Sequence, residues 1–424
     1  MKKKVLLSSI ATIALCLCLI AGSTFALFTS GDEVNISVTA GQVKLTANVV
    51  DGSLKTWSLY ETEKDARYDG LFANSGTAEF DTDKSLLIQR MTPGDVAKFT
   101  VHVENESNVN IRYRVRMMSE AVDAQTTNLT PALVTNAYID GNIYPVTGRE
   151  NVTAWRYIDA NVVIEDIDIT VTFPNTDDSI STDNRDNKYQ NAAARMYFVI
   201  EAVQGNANPD TPGDDGFVVL TNDSVASLYN PSNKEMIFNG EGETVNLTDS
   251  KNGLWGSATV ELADITTFAN VKLDATGQKS EGSVFSDLDD GEDVTLILAD
   301  NATVMAKNGD FGIWSAMGSN GESFTLMIDD SSSIAVSGDT AAVLVQGWEG
   351  TTANIVLNGS ASQCLKLSNG ATGFMFFGND GQKIVANMYV NSDADMNAYS
   401  GLIQAEDAIV HWFVNGTYVK TVNY

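Results

Sequence analysis

Gly282-Ser-Val-Phe-Ser, Gly312-Ile-Trp-Ser, Ala342-Val-Leu-Val, Gly373-Phe-Met-Phe-Phe and Gly401-Leu-Ile-Gln begin at intervals of 30, 30, 31 and 28 residues. A second apolar run follows each of them about ten residues later. These runs are Val294-Thr-Leu-Ile-Leu, Phe324-Thr-Leu-Met-Ile, Ala353-Asn-Ile-Val-Leu, Ile384-Val-Ala-Asn-Met-Tyr-Val and Ala408-Ile-Val-His-Trp-Phe-Val. A third short run comes next: Thr303-Val-Met-Ala, Ser333-Ile-Ala-Val, Cys364-Leu-Lys-Leu and, in the last unit, Thr417-Tyr-Val-Lys-Thr-Val. In the fourth unit the matching stretch is mostly polar. Three short strands per unit, separated by Gly, Asn and Asp, predict a parallel β-helix of ~30-residue coils. Asn308-Gly309, Asn320-Gly321, Asn358-Gly359, Asn369-Gly370 and Asn415-Gly416 supply corners that need positive φ. Thr244-Val-Asn-Leu and Thr259-Val-Glu-Leu read as parts of shorter opening coils. A second antiparallel sandwich is the competing reading of this region.

Upstream, the pattern changes. Asn35 to Val50, Lys98 to Val103, Ile111 to Met117, Ala160 to Phe173 and Ala194 to Val203 alternate apolar and polar residues. That period places one side of each strand against a core and the other toward solvent. Asn105-Glu-Ser-Asn108 reads as a hairpin turn between two of these strands. Many short strands with turn clusters predict an antiparallel sandwich. Composition shifts near residue 210. All nine Arg lie between Arg67 and Arg195, and six of the seven Pro precede Asp214. The stretch 205–216 is rich in turn formers and lacks large apolar side chains. The predicted order is therefore all-β: a sandwich over 27–207, a linker at 208–216 and a repeat domain over 217–424.

The first 26 residues have a different character. Lys2, Lys3 and Lys4 precede an apolar run from Val5 to Ile20, and Thr24 and Ala26 sit three and one residues before Leu27. This is the layout of a secretory signal peptide cut between Ala26 and Leu27. The run is shorter than the roughly 20 residues a bilayer span needs, so no membrane span is expected after cleavage. Cys16 and Cys18 lie within the apolar run and follow Leu, unlike a lipoprotein site, so they read as hydrophobic filler. Cleavage leaves Cys364 alone, and the core, not a disulfide, must hold the exported chain. The formal charge is −29, and loss of the three Lys takes it to −32. Such a surface repels phosphate backbones and argues against nucleic-acid partners.

Three segments of the first region resemble the TasA/camelysin family of secreted biofilm-matrix proteins. Gly22-Ser-Thr-Phe-Ala-Leu-Phe-Thr-Ser30, with Ser37-Val-Thr-Ala-Gly-Gln-Val-Lys-Leu45, looks like the start of such a chain. Met91-Thr-Pro-Gly-Asp-Val-Ala-Lys-Phe-Thr-Val-His-Val-Glu-Asn-Glu-Ser107 is similar to its Pro-Gly-Asp turn and following strand. Asn187-Lys-Tyr-Gln-Asn-Ala-Ala-Ala-Arg-Met-Tyr-Phe-Val-Ile-Glu-Ala-Val-Gln-Gly-Asn-Ala207 looks like its last strand. The resemblance covers about residues 1 to 207 and leaves the repeat domain outside. It implies export through a dedicated signal peptidase, a jelly-roll-like sandwich, and assembly by donor-strand exchange. The segment placed to donate carries Leu27, Phe28, Val34, Ile36 and Val38, the last three alternating strictly. The competing reading makes it the first strand of its own sandwich.

Chemistry-bearing motifs are sparse. The camelysin branch is linked to metallopeptidase activity, but His102 and His411 are the only His and lack zinc-ligand spacing. No Gly-x-Ser-x-Gly elbow is present, and the repeat domain has no Arg to neutralise a sugar acid. No catalytic residue and no enzymatic activity are expected. Asp289, Asp290, Glu292 and Asp293 cluster in one loop, with Asp329 and Asp330 in the next coil. Such carboxylates could hold calcium, the one cofactor considered, or simply form solvated turns. Asp177, Asp178, Asp183 and Asp186 carry the same two readings. Trp314, Trp348 and Trp412 fall near corresponding parts of successive coils, as a sugar-binding ladder or, preferred, as a stack inside the core. The expected role is a structural component of a bacterial extracellular matrix or cell surface, self-associating through its N-terminal segment. The alternative is an adhesin whose β-helix binds a glycan, cell-wall or protein partner.

Overall fold

The computed structural model describes residues 38–40, 43–58, 77–82, 84–107, 110–123, 125–147, 151–158, 164–175, 189, 191–204, 217–218, 235–240, 242–247, 260–261, 265–277, 282–287, 293–318 and 321–424. The signal-peptide segment, the cleavage site at Ala26 and Leu27, and the 208–216 linker lie outside them. Among the described residues no helix is long and apolar enough to cross a membrane.

Twelve strands build the first half: β1 (Val38–Ala40), β2 (Val43–Val49), β3 (Lys55–Ser58), β4 (Thr77–Phe80), β5 (Leu86–Gln89), β6 (Asp95–Asn105), β7 (Ile111–Glu120), β8 (Val134–Ile139), β9 (Asn142–Val146), β10 (Arg156–Ile158), β11 (Ile164–Thr172) and β12 (Ala193–Gln204). They form two antiparallel sheets. One runs β1-β2-β6-β11-β8-β9, with β3 also on β6; the other runs β10-β7-β12-β5-β4. Alternation sets the core between them. Ala97, Phe99, Val101 and Val103 of β6 meet Tyr113, Val115 and Met117 of β7 and Met196, Phe198 and Ile200 of β12 in one buried cluster. Phe99 anchors it, with Phe80 and Phe198 rings each 5.2 Å away edge-on. This is the expected sandwich.

The Pro-Gly-Asp turn closes on itself. Asp95 is 3% exposed, and its Oδ2 accepts from the Thr92 amide at 2.8 Å. Gly94 adopts φ +95°, which a side chain would strain. Asn105-Glu-Ser-Asn108 is not a hairpin turn: β6 and β7 belong to different sheets. The Ser107 hydroxyl accepts from the Lys44 amide at 2.8 Å, and the Glu106 amide donates to the Lys44 carbonyl at 2.9 Å. These bonds tie the loop to β2, so the chain leaves the first sheet and enters the second.

The second half contains β13 (Phe217–Val218), β14 (Glu235–Asn239), β15 (Thr244–Asn246), β16 (Val260–Glu261), β17 (Ile265–Ala269), β18 (Lys272–Asp274), β19 (Ser283–Asp287), β20 (Val294–Ala299), β21 (Thr303–Met305), β22 (Phe311–Ala316), β23 (Ser323–Ile328), β24 (Ser333–Ser337), β25 (Ala341–Gly347), β26 (Thr352–Leu357), β27 (Leu365–Ser368), β28 (Thr372–Gly378), β29 (Ile384–Val390), β30 (Ile403–Glu406), β31 (Ala408–Val414) and β32 (Thr417–Asn423). They stack into three sheets. Face one is β13-β14-β17-β20-β23-β26-β29-β31-β32, face two is β15-β18-β21-β24-β27, and face three is β16-β19-β22-β25-β28-β30. Every pairing is parallel except β31 with β32. The expected β-helix is realised. Its core is built of columns that run from coil to coil, such as Leu296, Leu326, Ile355, Met388 and Trp412. Each coil buries its apolar side chains only against its neighbours.

Two coils depart from the repeat. The polar stretch after Val390 forms the helix Asp393–Ser400, capped where the Ser392 hydroxyl accepts from the Asp395 amide. It replaces the face-two strand and buries Met396 and Tyr399. Thr417-Tyr-Val-Lys-Thr-Val is not a third strand of the last coil. It folds back on β31, because Asn415 (φ 47°) and Gly416 (φ 73°) make a two-residue hairpin turn.

The halves pack against each other. From face one, Ile297, Met327, Val356, Tyr389 and Phe413 stand in register. They pack with Ile143, Ala154 and Tyr418, flanked by Val134, Tyr138 and Tyr144. Beside them, Thr325, Asn354, Asn387 and His411 form a buried polar row, each at most 3% exposed. The Asn387 amide donates to Asn354 Oδ1 at 2.9 Å, and Asn354 Nδ2 donates across to Thr147 Oγ1 of the sandwich at 2.8 Å.

Candidate functional site

Three places deserve comparison as sites: the sheet edge at β2, the acidic corners and the outer surface of face three.

Leu27, Phe28, Val34 and Ile36 of the candidate donor segment lie outside the described residues. Val38 is the first residue of β1, which pairs antiparallel with β2 in the register Val38 with Leu45, Thr39 with Lys44 and Ala40 with Val43. Among the described residues β1 covers no more of β2 than Val43–Leu45. Thr46–Val49 pair with β6 on one side and with no described strand on the other. Ala47 on that edge is fully buried beneath the sandwich, and Val49 packs partly against the same core. An open edge with inward apolar side chains is a template for an added strand.

Asp289, Asp290, Glu292, Asp177, Asp178, Asp183 and Asp186 also fall outside the described residues. Asp293 does not face an open site: its Oδ1 accepts from the Ser323 amide at 2.8 Å and the Ser323 hydroxyl at 3.0 Å. Asp329 Oδ2 accepts from the Asp300 amide at 2.7 Å, and its Oδ1 accepts from the Ser331 amide and hydroxyl at 2.9 Å. The bonds to Ser323 and Asp300 satisfy N–H groups of adjacent coils, and the bonds to Ser331 close the turn of Asp329 itself. Buried Glu322 instead closes its own corner, accepting from the Gly318 amide at 2.6 Å. Among the described residues no group of three or more His, Cys, Asp or Glu could hold a metal ion.

The two His sit apart. His102 projects from β6 with Nδ1 2.6 Å from Asp166 Oδ1. His411 lies in the buried polar row, its Nδ1 2.7 Å from Thr421 Oγ1, and burial pulls its pKa from 6.5 down to about 3. Cys364 is buried, and burial pushes its thiol pKa up, away from nucleophilic use. Three Arg alternate along β7 on the outer side of the second sandwich sheet. Arg112 and Arg114 flank Trp155 at 4.9 and 4.6 Å. Arg114 and Arg116 bind the two oxygens of Glu201 at 2.8 and 2.5 Å. Those arginines hold the Glu201 carboxyl below its usual range despite its partial burial, which opposes the shift. One carboxylate thus bridges two of the three guanidiniums, and the Trp155 ring meets two of them.

The tryptophans form no common ladder. Trp412 is fully buried and ends a core column of face one. Trp348 follows β25 in a corner, where its carbonyl accepts from the Thr351 hydroxyl at 2.7 Å. Trp314 points outward from β22, half-buried, with its indole N–H donating to Gln346 Oε1 at 3.0 Å. It stands in register with Leu344, Met375 and Gln404, and Gln346 stands in register with Phe377 and Glu406. Leu344 is only 6% exposed although it points out of the coil. The outer surface of face three thus carries two short columns mixing apolar and amide side chains. Sequence spacing found Trp314 but missed Phe377, because inward and outward residues of Gly373-Phe-Met-Phe-Phe are all apolar.

No family model matches this chain, and no curated protein does. Among solved structures, the catalytic domain of a GH87 alpha-1,3-glucanase in complex with tetrasaccharides aligns over 85% of this chain and 69% of that one. The identity is 8% and the TM-score 0.14, so the likeness carries no argument.

Proposed function

We propose that this protein is a secreted structural subunit of a bacterial extracellular matrix or cell surface, and that it self-associates through the segment from Leu27 to Val38. The edge Thr46–Val49 of β2, which no described strand pairs on its outer side, carries the reading. Continuing the β1 register by count would set Ile36 opposite Ala47 and Val34 opposite Val49, on the core side of the sheet. A neighbour's segment can use that register as readily as the chain's own, which is the basis of donor-strand exchange. The signal-peptide layout of residues 1–26 and the resemblance to the TasA/camelysin family support export and a matrix role. The β-helix then extends from the assembled sandwich as a rigid arm, since the two halves share a buried interface. A second reading, an adhesin binding glycans or proteins through the β-helix, is supported by the outer surface of face three, which no described element covers.

Electron microscopy of the chain beginning at Leu27, beside one lacking Leu27 to Val38, tests the first reading. Fibres that form with rising concentration, and only with the segment present, are the expected result. Monomers in both preparations would refute self-association.

A further inference from the structure

Two faces of the β-helix carry outward apolar columns. On face one the sandwich covers them. On face three no described element does. There Trp314, Met375 and Phe377 stay partly exposed beside exposed Gln404 and Glu406, a mix of ring surface and polar groups that suits a small ligand. We propose that the outer surface of face three, centred on Trp314 and Phe377, is a platform for a neutral glycan chain.

Size selects the occupant. From β22 to β30 the platform spans three strand gaps and two residue steps, roughly 14 Å by 7 Å, whereas a stable protein partner needs about 800 Å² of each surface. A patch that small suits a few sugar rings. Trp314 and Phe377 lie on strands separated by β25 and on adjacent outward columns, so their Cα atoms are about 12 Å apart on the diagonal. That leaves room between the rings for Met375, with buried Leu344 beside it, as an apolar floor for the C–H faces of sugars. The Gln346 bond to the indole nitrogen fixes the ring's orientation in advance, which lowers the entropy lost on binding. Gln404 and Gln346 provide donors and acceptors for hydroxyl groups. Glu406 is the one charged side chain in these two columns, and the chain carries −29 overall. Charge therefore disfavours anionic polymers and leaves a neutral glycan as the matching partner.

The platform is independent of the β2 edge, so the two can fail separately. Saturation-transfer NMR and calorimetry on the chain beginning at Leu27, with cellohexaose, laminarihexaose and chitohexaose, test it. Saturable binding of at least one is expected. Trp314→Ala should weaken it at least tenfold and Phe377→Ala at least threefold, with the urea midpoint checking that both variants fold. Trp314→Phe, which keeps a ring, should retain more affinity than Trp314→Ala, and Lys366→Ala on face two should bind as the parent does. Absence of binding to all three sugars overturns the proposal. So does binding that Trp314→Ala and Phe377→Ala leave unchanged, or a preference for oligogalacturonate.

Discussion

Faces one and three of the β-helix are built by the same rule and end in different situations. Both point one set of apolar columns inward, and both carry a second apolar column outward. The outward column of face one includes Tyr389 and Phe413, stacked with ring centroids 4.7 Å apart and fully buried under the sandwich. The outward column of face three includes Trp314 and Met375, half-buried and uncovered by any described element. Alternation along one strand therefore says that a residue leaves the coil. It does not say whether the residue meets solvent or another domain. The row beside Phe413 shows the same point in polar form. Asn354, Asn387 and His411 have the pattern of a solvated strand surface, yet all are buried: Asn387 bonds to Asn354, Asn354 to Thr147 of the sandwich, and His411 to Thr421 of β32.

This comparison can be broken by mutation. Phe413→Ala removes a buried aromatic from the interface and should lower stability by about 3–5 kcal/mol in urea unfolding, a core-like loss. A loss below about 1 kcal/mol would show that the sandwich does not cover face one in solution. Acid sharpens it next. His411 has its pKa lowered to about 3 in the fold, so below 6.5 the unfolded chain takes up a proton that the folded chain refuses. Stability should fall as pH drops, with a slope that approaches about 1.4 kcal/mol per unit well below 6.5 and a loss of about 1.6 kcal/mol between pH 6.5 and 5. His411→Asn should flatten that slope; an unchanged slope would move its origin elsewhere. Asn354→Ala deletes the amide that bridges to Thr147 and should lower stability by about 1–2 kcal/mol, because Asn387 and Thr147 lose a partner in a dry site. Phe377→Ala on the uncovered face is the smallest, at about 1 kcal/mol or less. If it matched Phe413→Ala, face three would have to be covered as well.

Much of the fold is legible in the residues themselves. The period of 28 to 31 residues marks the strands of face three, and the runs ten residues later mark face one. The period breaks where the chain does something else, and only part of that was readable. The polar stretch after Val390 signalled a departure without revealing a helix, although Ser392 before Asp393 and Asp395 is a capping signal. Asn415-Gly416 was read as a corner like Asn308-Gly309. Dihedrals alone do not separate them, since the corner Asn369-Gly370 also takes positive φ at both residues; what differs is that Val414 and Thr417 pair directly across the turn, whereas the corners lead to another face. Asn105 to Asn108 misled for a related reason: turn-forming residues announce a change of direction, not which sheet receives the next strand.

The candidate site was less legible. Trp314 stood out by its repeat position, but so did Trp348 and Trp412, and the three have unrelated surroundings. The acidic corners read as calcium ligands or as solvated turns, because composition cannot show that Asp293 and Asp329 already accept backbone N–H groups from the neighbouring coil.

By itself, the sequence determined that the chain is all-β, where alternation of period two gives way to a thirty-residue repeat, and which side chains each strand turns inward. Those are local properties, set by backbone geometry and by the need of each apolar side chain to leave water. Only the tertiary structure decided which outward column is covered, which carboxylates are occupied and which turn reverses the last strand. Each of those depends on what a distant part of the chain brings within contact range, and no local pattern of residues carries that information.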